Sequence, residues 1–386
     1  MKTYLGKTPT ELSMLDAIHT AQEIVQQPVI WETIYSFIKE QNEALTNFIN
    51  SASDCNKVIL TGAGTSAYIG ESLVGEWSKN INTNTVAIPT THLVSHPTDY
   101  IRPNDNLLLV SFARSGNSPE SLATVELADK LAKTCKHLII TCNENGALTK
   151  YKSASKKFVF HLPKEANDKS LAMTSSYSGM LLSGLLIAKI TEIDKLQPQI
   201  QALKEYGNNI LENYVPLLQE ISFLPFKRVV FLGSGPLNGA ANESQLKVQE
   251  MTDGEIICKH DSFLGLRHGP KAVIDNETLL VYLFSNSPHV SKYENDLVFS
   301  MDKGKKALAK VGVFEIEDYQ FPIEHNIYLS KGNTKQIEES FLPIVMILPG
   351  QILAFFKSID VGCKPDNPSK SGAIHRVVQG VNIYNI

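Results

Sequence analysis

Three side chains in the second half of the chain could move protons. Lys247 and Glu250 lie three residues apart in a stretch of helical character, so they share one helical face. His268 follows on a loop bounded by Gly269 and Pro270. A carboxylate can take a proton from one carbon and return it to the next, and an imidazole can move one between a ring oxygen and a hydroxyl. Near an anion-binding turn, this set fits proton transfer on a phosphorylated sugar; an exposed ion pair and a surface histidine are the alternative.

Two turns rich in hydroxyl groups follow predicted strands in the first half. Ser115, Gly116 and Ser118 precede a helix for which Ser118 is a good N-cap, and Thr65 and Ser66 follow the first strand. Amides at a helix N-terminus bind anions, and hydroxyl groups add donors. Both turns fall at the carboxyl ends of strands, where open α/β sheets bind ligands. We expect a phosphate cradle, with a merely well-capped helix as the alternative.

Other ligand classes lack a matching motif. The turn at Gly62 and Gly64 has Ala67 at the position of the third glycine of the dinucleotide-binding motif GxGxxG. No ribose-binding acid follows at the expected distance. The sequence contains no GxxxxGK[ST] loop, and we identify in it no clustered His and Asp set typical of a metal site. We therefore expect no bound nucleotide, no metal and no cofactor.

Composition indicates an intracellular protein of two domains. A chain of 386 residues exceeds the usual size of one domain, and a net charge of −4 without a basic block argues against nucleic acid as a partner. Five cysteines without a CxxC pair indicate a reducing cytoplasm. No signal peptide is apparent, and the apolar stretches 179–190 and 341–356 fit buried helices better than membrane spans.

The elements that must position these residues form two similar series. Residues 1–50 have a helical pattern and predict an N-terminal arm. Short apolar runs then alternate with helices, which predicts parallel sheets covered on both faces. The predicted strands are Val58–Thr61, Thr85–Ile88, Leu107–Phe112, His137–Cys142 and Phe158–His161, then Arg228–Leu232, Glu255–Cys258, Thr278–Phe284, Lys310–Phe314 and Asn326–Leu329. The predicted helices are Ser66–Lys79, Pro119–Lys133, Leu171–Ile190, Asp194–Glu220, Asn238–Asp253, Ser291–Lys303 and Thr334–Phe356.

The two series also echo one another in sequence. Gly62-Ala63-Gly64 leads to Glu71-Ser72, and Gly233-Ser234-Gly235 leads to Glu243-Ser244. With five strands on each side, the echo predicts a tandem duplication with its boundary near 194–220. We predict an arm at 1–50, a first domain at 51–200 and a second domain with a C-terminal tail at 210–386.

These motifs together resemble the sugar isomerase (SIS) family with two SIS domains in tandem. The residues that carry the resemblance are Gly64-Thr65-Ser66, Arg114-Ser115-Gly116-Asn117-Ser118, Glu243, Lys247, Glu250, Arg267-His268-Gly269-Pro270, Leu348-Pro349-Gly350-Gln351 and Lys364-Pro365-Asp366-Asn367-Pro368. The wording of 172–176 and 263–270 is more similar to the galactosamine-6-phosphate deaminase/isomerase branch than to the glucosamine-6-phosphate synthase branch. A synthase also needs an N-terminal cysteine to release ammonia from glutamine, and no cysteine precedes Cys55.

The resemblance implies a fold of two five-stranded parallel sheets and a set of roles. Glu250 is then the base, His268 opens the sugar ring from a neighbouring subunit, and Lys247 stabilises the oxyanion or tunes Glu250. The residues implied in substrate and phosphate binding are Thr65, Ser66, Arg114, Ser115, Ser118, Thr174 and Lys370. Lys370 stands near the place of the family's C-terminal lysine, but a longer tail follows it here. A shared site implies at least a dimer, without metal or cofactor.

The implied activity is conversion of galactosamine 6-phosphate to tagatose 6-phosphate and ammonia. A sugar-phosphate sensor without turnover is one alternative, although the arm lacks a basic helix-turn-helix pattern. A deglycase acting on a sugar–amine adduct is the other. Preference for galacto or gluco sugars stays open at this stage.

Overall fold

The computed structural model describes residues 2–317, 321–332, 334–378 and 380–384. The chain divides into two compact units, and neither is continuous in sequence. The first-sheet unit comprises the described residues of 29–167, 175–197 and 375–386, and the second-sheet unit those of 1–28, 168–174 and 198–374. The domain boundaries predicted from sequence, which are continuous ranges, stay a prediction.

Each unit contains a five-stranded sheet in which every described pairing is parallel. The first has the order β2-β1-β3-β4-β5 and the second β7-β6-β8-β9-β10. Most of their central strands are continuous apolar runs buried on both faces, as parallel sheets require. The strands are β1 Lys57–Thr61, β2 Asn84–Ala87, β3 Asn106–Ala113, β4 Thr134–Thr141, β5 Lys156–His161, β6 Arg228–Gly233, β7 Ile257–Asp261, β8 Thr278–Leu283, β9 Ala309–Phe314 and β10 His325–Tyr328.

Helices connect and cover these strands. Within the described residues they are α1 Pro9–Met14, α2 Ile18–Val25, α3 Gln27–Glu40, α4 Asn42–Asn50, α5 Thr65–Ile81, α6 Thr90–Ser95, α7 Pro97–Tyr100, α8 Pro119–Leu131, α9 Ala147–Lys150, α10 Ser175–Ala188, α11 Gln197–Asn213, α12 Val215–Ser222, α13 Pro236–Met251, α14 Phe263–Leu266, α15 Val290–Asp302 and α16 Leu342–Asp360. Short 3-10 turns lie at Lys164–Ala166, Ile190–Leu196, Pro270–Val273 and Glu339–Phe341.

The two sheets have one topology, which confirms the predicted fold class. The strand order of the second repeats that of the first when the strands are numbered along each half. The turns after the first strands also match, since Gly64 has φ 53° and ψ −128° and Gly235 has φ 56° and ψ −126°. A backbone conformation that residues with a side chain rarely adopt therefore recurs at the same point of both halves.

Three predicted helices differ at their ends. The helix predicted from Leu171 begins only at Ser175, since residues 171–174 hydrogen bond elsewhere in the second-sheet unit. The helix predicted from Thr334 begins at Leu342 because the amides of Gln336 and Ile337 donate to the Glu315 carboxylate. The long helix predicted over 194–220 is interrupted at Tyr214, and Pro216 lies in the first turn of its second part.

The apolar helix α16 is the core element of the second-sheet unit. It is the one described helix that is long and apolar enough to cross a membrane, and 94% of its most apolar window is buried. Gly350 allows close packing against α13, because a Cβ at this position would lie 2.5 Å from the Ser244 Oγ. The predicted buried helix over 341–356 is thus confirmed, and its Pro349-Gly350 motif holds α13 in place.

Candidate functional site

The first-sheet unit presents two loops at its switch point. β1 pairs with both β2 and β3, so the strand order reverses between β1 and β3. Thr61 at the end of β1 is level with Ser111 near the end of β3. The loops that follow these strands therefore open at the same edge of the sheet, where this topology binds ligands.

The loop after β1 brings hydroxyl groups to a helix N-terminus. Gly62 cannot carry a side chain, because a Cβ would lie 2.5 Å from the backbone of Ser66. Gly64 adopts a positive φ, and α5 begins directly after it. Thr65 and Ser66 consequently lie in the first turn of α5, both buried. Such a turn can bind an anion, and phosphate binding by these two residues stays a prediction.

The loop after β3 is held by neutral groups. Asn143 Nδ2 donates to the Ser115 carbonyl at 2.7 Å, and the Ala147 amide donates to Asn117 Oδ1 at 2.9 Å. Ser118 caps α8, and its Oγ lies 2.6 Å from the Ser121 Oγ. The loop thus gains rigidity from neutral partners at the positive end of a 13-residue helix.

Arg114 is buried beside this loop and engages the C-terminal tail. Its Nη2 donates to the carbonyl of Arg376 at 2.7 Å. Arg376 in turn donates to Asn167 Oδ1 at 3.0 Å. The guanidinium of Arg114 is therefore fixed by the backbone of residues far along the chain.

The second-sheet unit contains a buried charge cluster on α13. Lys247 Nζ lies 2.5 Å from Glu250 Oε2 and 3.2 Å from Glu243 Oε1. The side chains of Lys247 and Glu243 are fully buried, whereas that of Glu250 is 23% exposed. Burial lowers the pKa of Lys247, but the two carboxylates outweigh it, so the pKa lies above its ordinary value. Lys247 is a cation between two acids, and Glu250 is the acid that solvent reaches.

His268 lies on an exposed turn after α14. Its backbone N–H donates to the Gly265 carbonyl at 3.0 Å, and its side chain is exposed. Among the described residues, no hydrogen bond or ion pair joins His268 to the α13 cluster. The structure therefore brings Lys247 and Glu250 together as predicted, and leaves His268 facing solvent.

The two remaining predicted residues of the second-sheet unit are held by other groups. Thr174 is fully buried, and both its amide (2.8 Å) and its hydroxyl (3.2 Å) donate to the Asp168 carboxylate. Lys370 is exposed and donates to the Val361 carbonyl at 3.1 Å. Neither residue is joined to the α13 cluster by a hydrogen bond of the described residues.

Comparison with known proteins identifies the family of this chain. A family model for the SIS domain matches residues 52–190. The D-galactosamine-6-phosphate deaminase AgaS of Shewanella sp. (strain ANA-3) is 39% identical over 97% of this chain and 94% of its own length. The chain belongs to the SIS domain family.

Two solved structures extend the likeness of this SIS protein to its whole length. A candidate tagatose-6-phosphate ketose/aldose isomerase from Clostridium novyi NT has a TM-score of 0.95 at 39% identity and covers 100% of both chains. The tagatose-6-phosphate ketose/aldose isomerase from Escherichia coli has a TM-score of 0.85 at 35% identity, covering 95% of this chain and 96% of its own.

Two carboxylates of this SIS protein have positions that sequence reasoning left without a role. Glu243 is the second acid of the α13 cluster, and its spacing of four residues from Lys247 was a usable signal. Asp168 fixes Thr174, but in a segment without helical or strand period, so no pattern pointed to it.

One group of metal-type ligands occurs among the described residues of this SIS protein. Ligand atoms of Asp129, Cys135 and His137 lie within 4.8 Å of one another in the first-sheet unit. His137 Nε2 already lies 2.8 Å from Asp129 Oδ1, and the hydroxyls of Tyr151, Ser153 and Ser155 donate to the same carboxylate. Asp129 thus has four hydrogen-bonding partners within the protein. The group is a hydrogen-bonded cluster rather than an open coordination site.

Proposed function

We propose that this protein converts galactosamine 6-phosphate to tagatose 6-phosphate and ammonia, as a sugar-phosphate deaminase/isomerase. The observation that carries the proposal is the α13 cluster, where Lys247 holds the partly exposed carboxylate of Glu250. The relative from Shewanella, at 39% identity over nearly the whole chain, carries the name of this deaminase activity.

In the proposed reaction the phosphate is held by the two loops of the first sheet. Thr65, Ser66, Ser115 and Ser118 supply hydroxyl and helix N-terminal donors, with the dipoles of α5 and α8 behind them. Arg114 adds positive charge beside the second loop. Thr174 and Lys370 are proposed as further substrate contacts.

Proton transfer is the task proposed for the second sheet. After His268 opens the ring, Glu250 removes the proton from the second carbon, which carries the amine, and an enolamine forms. Return of the proton to the first carbon gives a ketimine. Water then adds to the C=N bond, and the amine leaves as ammonia while the second carbon becomes a ketone. The reaction is a hydrolysis without net oxidation, and it needs neither metal nor redox cofactor.

The exposed position of His268 supports one further part of the proposal. A ring-opening imidazole that faces solvent in one chain is available to a second copy of that chain. We therefore propose a homodimer, or a larger homo-oligomer, with a shared active site. A cytoplasmic location fits five free cysteines, four of them buried, and a small metabolite as substrate.

The test is an assay of the purified protein with galactosamine 6-phosphate, in which ammonia and tagatose 6-phosphate are measured together. Equal amounts of the two products are expected. Parallel reactions with glucosamine 6-phosphate and with tagatose 6-phosphate alone report the sugar preference and any plain isomerisation. Binding of the amino sugar phosphate without release of ammonia would overturn the proposal in favour of a sensor, and release of ammonia only from a substituted amine would favour a deglycase.

A further inference from the structure

Residues 168–174 form a buried segment outside the regular elements of the second-sheet unit. Except for the exposed Lys169, these residues are at most 9% exposed. Buried backbone amides must find hydrogen-bond partners, and here neither a helix nor a sheet ladder supplies them. The partners therefore show what holds this segment, which ends in the proposed substrate contact Thr174.

The N-terminal helix α2 supplies the first partner. The Glu23 carboxylate accepts from the amides of Lys169 at 2.6 Å and Ser170 at 3.4 Å, and the Ser170 hydroxyl also donates to it. Glu23 is 6% exposed and lies 146 positions from Lys169 in sequence. Burial and the neighbouring Asp168 raise the pKa of Glu23 to about 7, and the hydrogen bonds from Ser170 and Lys169 oppose that rise.

The turn that contains Asp366 supplies the second partner. Its carbonyl accepts from the Leu171 amide at 3.0 Å. Its carboxylate accepts from the amides of His19 at 3.1 Å and Thr20 at 2.7 Å, in the first turn of α2. Asp366 therefore binds the segment with its backbone and α2 with its side chain.

Thr174 itself is held inside this arrangement. Asp168 accepts from its amide and hydroxyl, as described above. Gln27 Nε2 donates to Gln351 Oε1 at 2.6 Å, and the amide nitrogen of Gln351 lies 3.5 Å from the Thr174 carbonyl. The amide and the carbonyl of Thr174 thus each lie near a side chain, Asp168 of the segment and Gln351 of α16, and Gln27 of the N-terminal arm holds Gln351.

We infer that α2 and the turn at Asp366 form a clasp that positions Thr174 for the substrate, with Glu23 as its central positioning residue. The inference rests on the proposed function, because Thr174 is a substrate contact only there. It gives the N-terminal arm a task beyond packing. Glu23 acts through Lys169 and Ser170 and does not itself touch the substrate.

Kinetics of Glu23 variants test the inference. Glu23→Ala removes all three hydrogen bonds to the segment, so KM for the amino sugar phosphate should rise about tenfold while kcat changes less than threefold. Glu23→Gln keeps one oxygen as an acceptor and should recover part of this loss. Thr8→Ala, which removes the N-cap of α1 on the same arm, is the matched control and should leave KM within twofold of wild type.

Two further measurements separate positioning from plain destabilisation. Amide hydrogen exchange of residues 169–174 should be faster in Glu23→Ala and unchanged in Thr8→Ala. The double variant Glu23→Gln with Ser170→Ala should raise KM less than the product of the two single effects, because the two residues share one hydrogen bond.

Three outcomes would overturn the inference. The first is a Glu23→Ala protein with normal KM. The second is a KM no different from that of Thr8→Ala at equal loss of melting temperature. The third is a wild-type protein that neither converts the amino sugar phosphate nor binds it by calorimetry, in which case the proposed function and this inference fail together. The first outcome, when turnover is also normal, overturns the inference alone.

Discussion

The turn after β1 and the turn after β6 have the same backbone and different side chains. Gly64 and Gly235 match in φ and ψ within a few degrees. The residues that follow are Thr65 and Ser66 in the first sheet, and Pro236 and Leu237 in the second. Hydroxyl donors at the helix N-terminus are therefore confined to the first copy.

The helices that begin at these turns, α5 and α13, differ in the burial of a pair of opposite charges. Glu76 and Lys79 stand twelve and fifteen residues after Gly64, as Lys247 and Glu250 do after Gly235. Both couples form ion pairs, but Lys79 is 74% exposed and Lys247 fully buried. The two pairs lie at equivalent places with the signs exchanged, since Glu76 corresponds to Lys247 and Lys79 to Glu250. Only in the second copy is the lysine fully buried, as the cation beside a base would require.

The loops after the third strands complete the comparison. In the first sheet, Ser115 and Asn117 are held by an amide side chain and a backbone amide. In the second, Glu294 accepts from the Ser285 amide at 3.0 Å, and Glu315 accepts from Asn286 at 2.6 Å. Glu339 also accepts from the Ser285 hydroxyl. In the second copy the protein's own carboxyl groups take the donors that a phosphate would need, so the proposed phosphate cradle belongs to the first copy.

The largest expected effect concerns the ion pairs of α5 and α13, of which only the second should matter for turnover. Glu250→Gln removes the proposed base and should lower kcat by about 10²–10⁴ while sugar-phosphate binding persists. Glu76→Gln, which makes the same change at the acid of the α5 pair, should leave kcat within twofold. The ammonia assay and calorimetry measure the two quantities. A near-normal rate for Glu250→Gln would remove this residue from the base role.

The second expected effect compares the two third-strand loops. Ser115→Ala should raise KM roughly 10- to 100-fold, because a hydrogen bond to a charged group contributes about 1.5–3 kcal/mol. Ser287→Ala is the control and should leave KM unchanged; Ser287 lies in Asn286-Ser287-Pro288 after β8, the counterpart of Asn117-Ser118-Pro119 after β3. Inorganic phosphate should inhibit the control normally and Ser115→Ala weakly. Equal effects of the two substitutions on KM would contradict a phosphate site that lies in the first sheet alone.

Sequence reasoning found the features of this comparison that depend on local spacing. Ten strands, the paired turns and the Lys247–Glu250 pair all follow from patterns within a few residues. The contacts that it missed join distant positions, such as Arg114 with the carbonyl of Arg376, 262 residues away. Capture of backbone amides by Glu315 was likewise invisible, because no periodicity records which carboxylate a loop will meet.

The third expected effect concerns Glu294, whose carboxyl group accepts from the Ser285 amide in the loop after β8. Burial raises the pKa of Glu294 to about 8, and the charge of Glu339 adds to this. α8 has Ala123 at the equivalent fifth position of its helix. Since the pKa is raised in the folded state, the protonated form is the one that folding favours. The contribution of Glu294 to stability is therefore complete below the ordinary carboxyl pKa and is lost as pH rises through about 8.

Glu294→Gln should remove this pH dependence, because glutamine stays neutral. Between pH 6 and pH 9 the variant should gain about 2–3 kcal/mol of unfolding free energy relative to wild type. Urea unfolding at the two pH values measures the difference, and the pH 6 pair serves as the internal control. A constant difference across the range would show that Glu294 is not the group that titrates.

The smallest expected effect tests whether the two turns are equivalent in energy as well as in shape. A Cβ at Gly64 or Gly235 would meet no atom within 4 Å, so alanine adds only backbone strain. We expect each substitution to cost about 1–3 kcal/mol, to a similar extent in both turns. Gly75→Ala, in open space within α5 at an ordinary φ, should instead stabilise slightly. Thermal unfolding measures all three variants. KM should rise only for Gly64→Ala, because its turn alone leads into Thr65 and Ser66; a matching rise for Gly235→Ala would mean that the second turn also shapes the phosphate site.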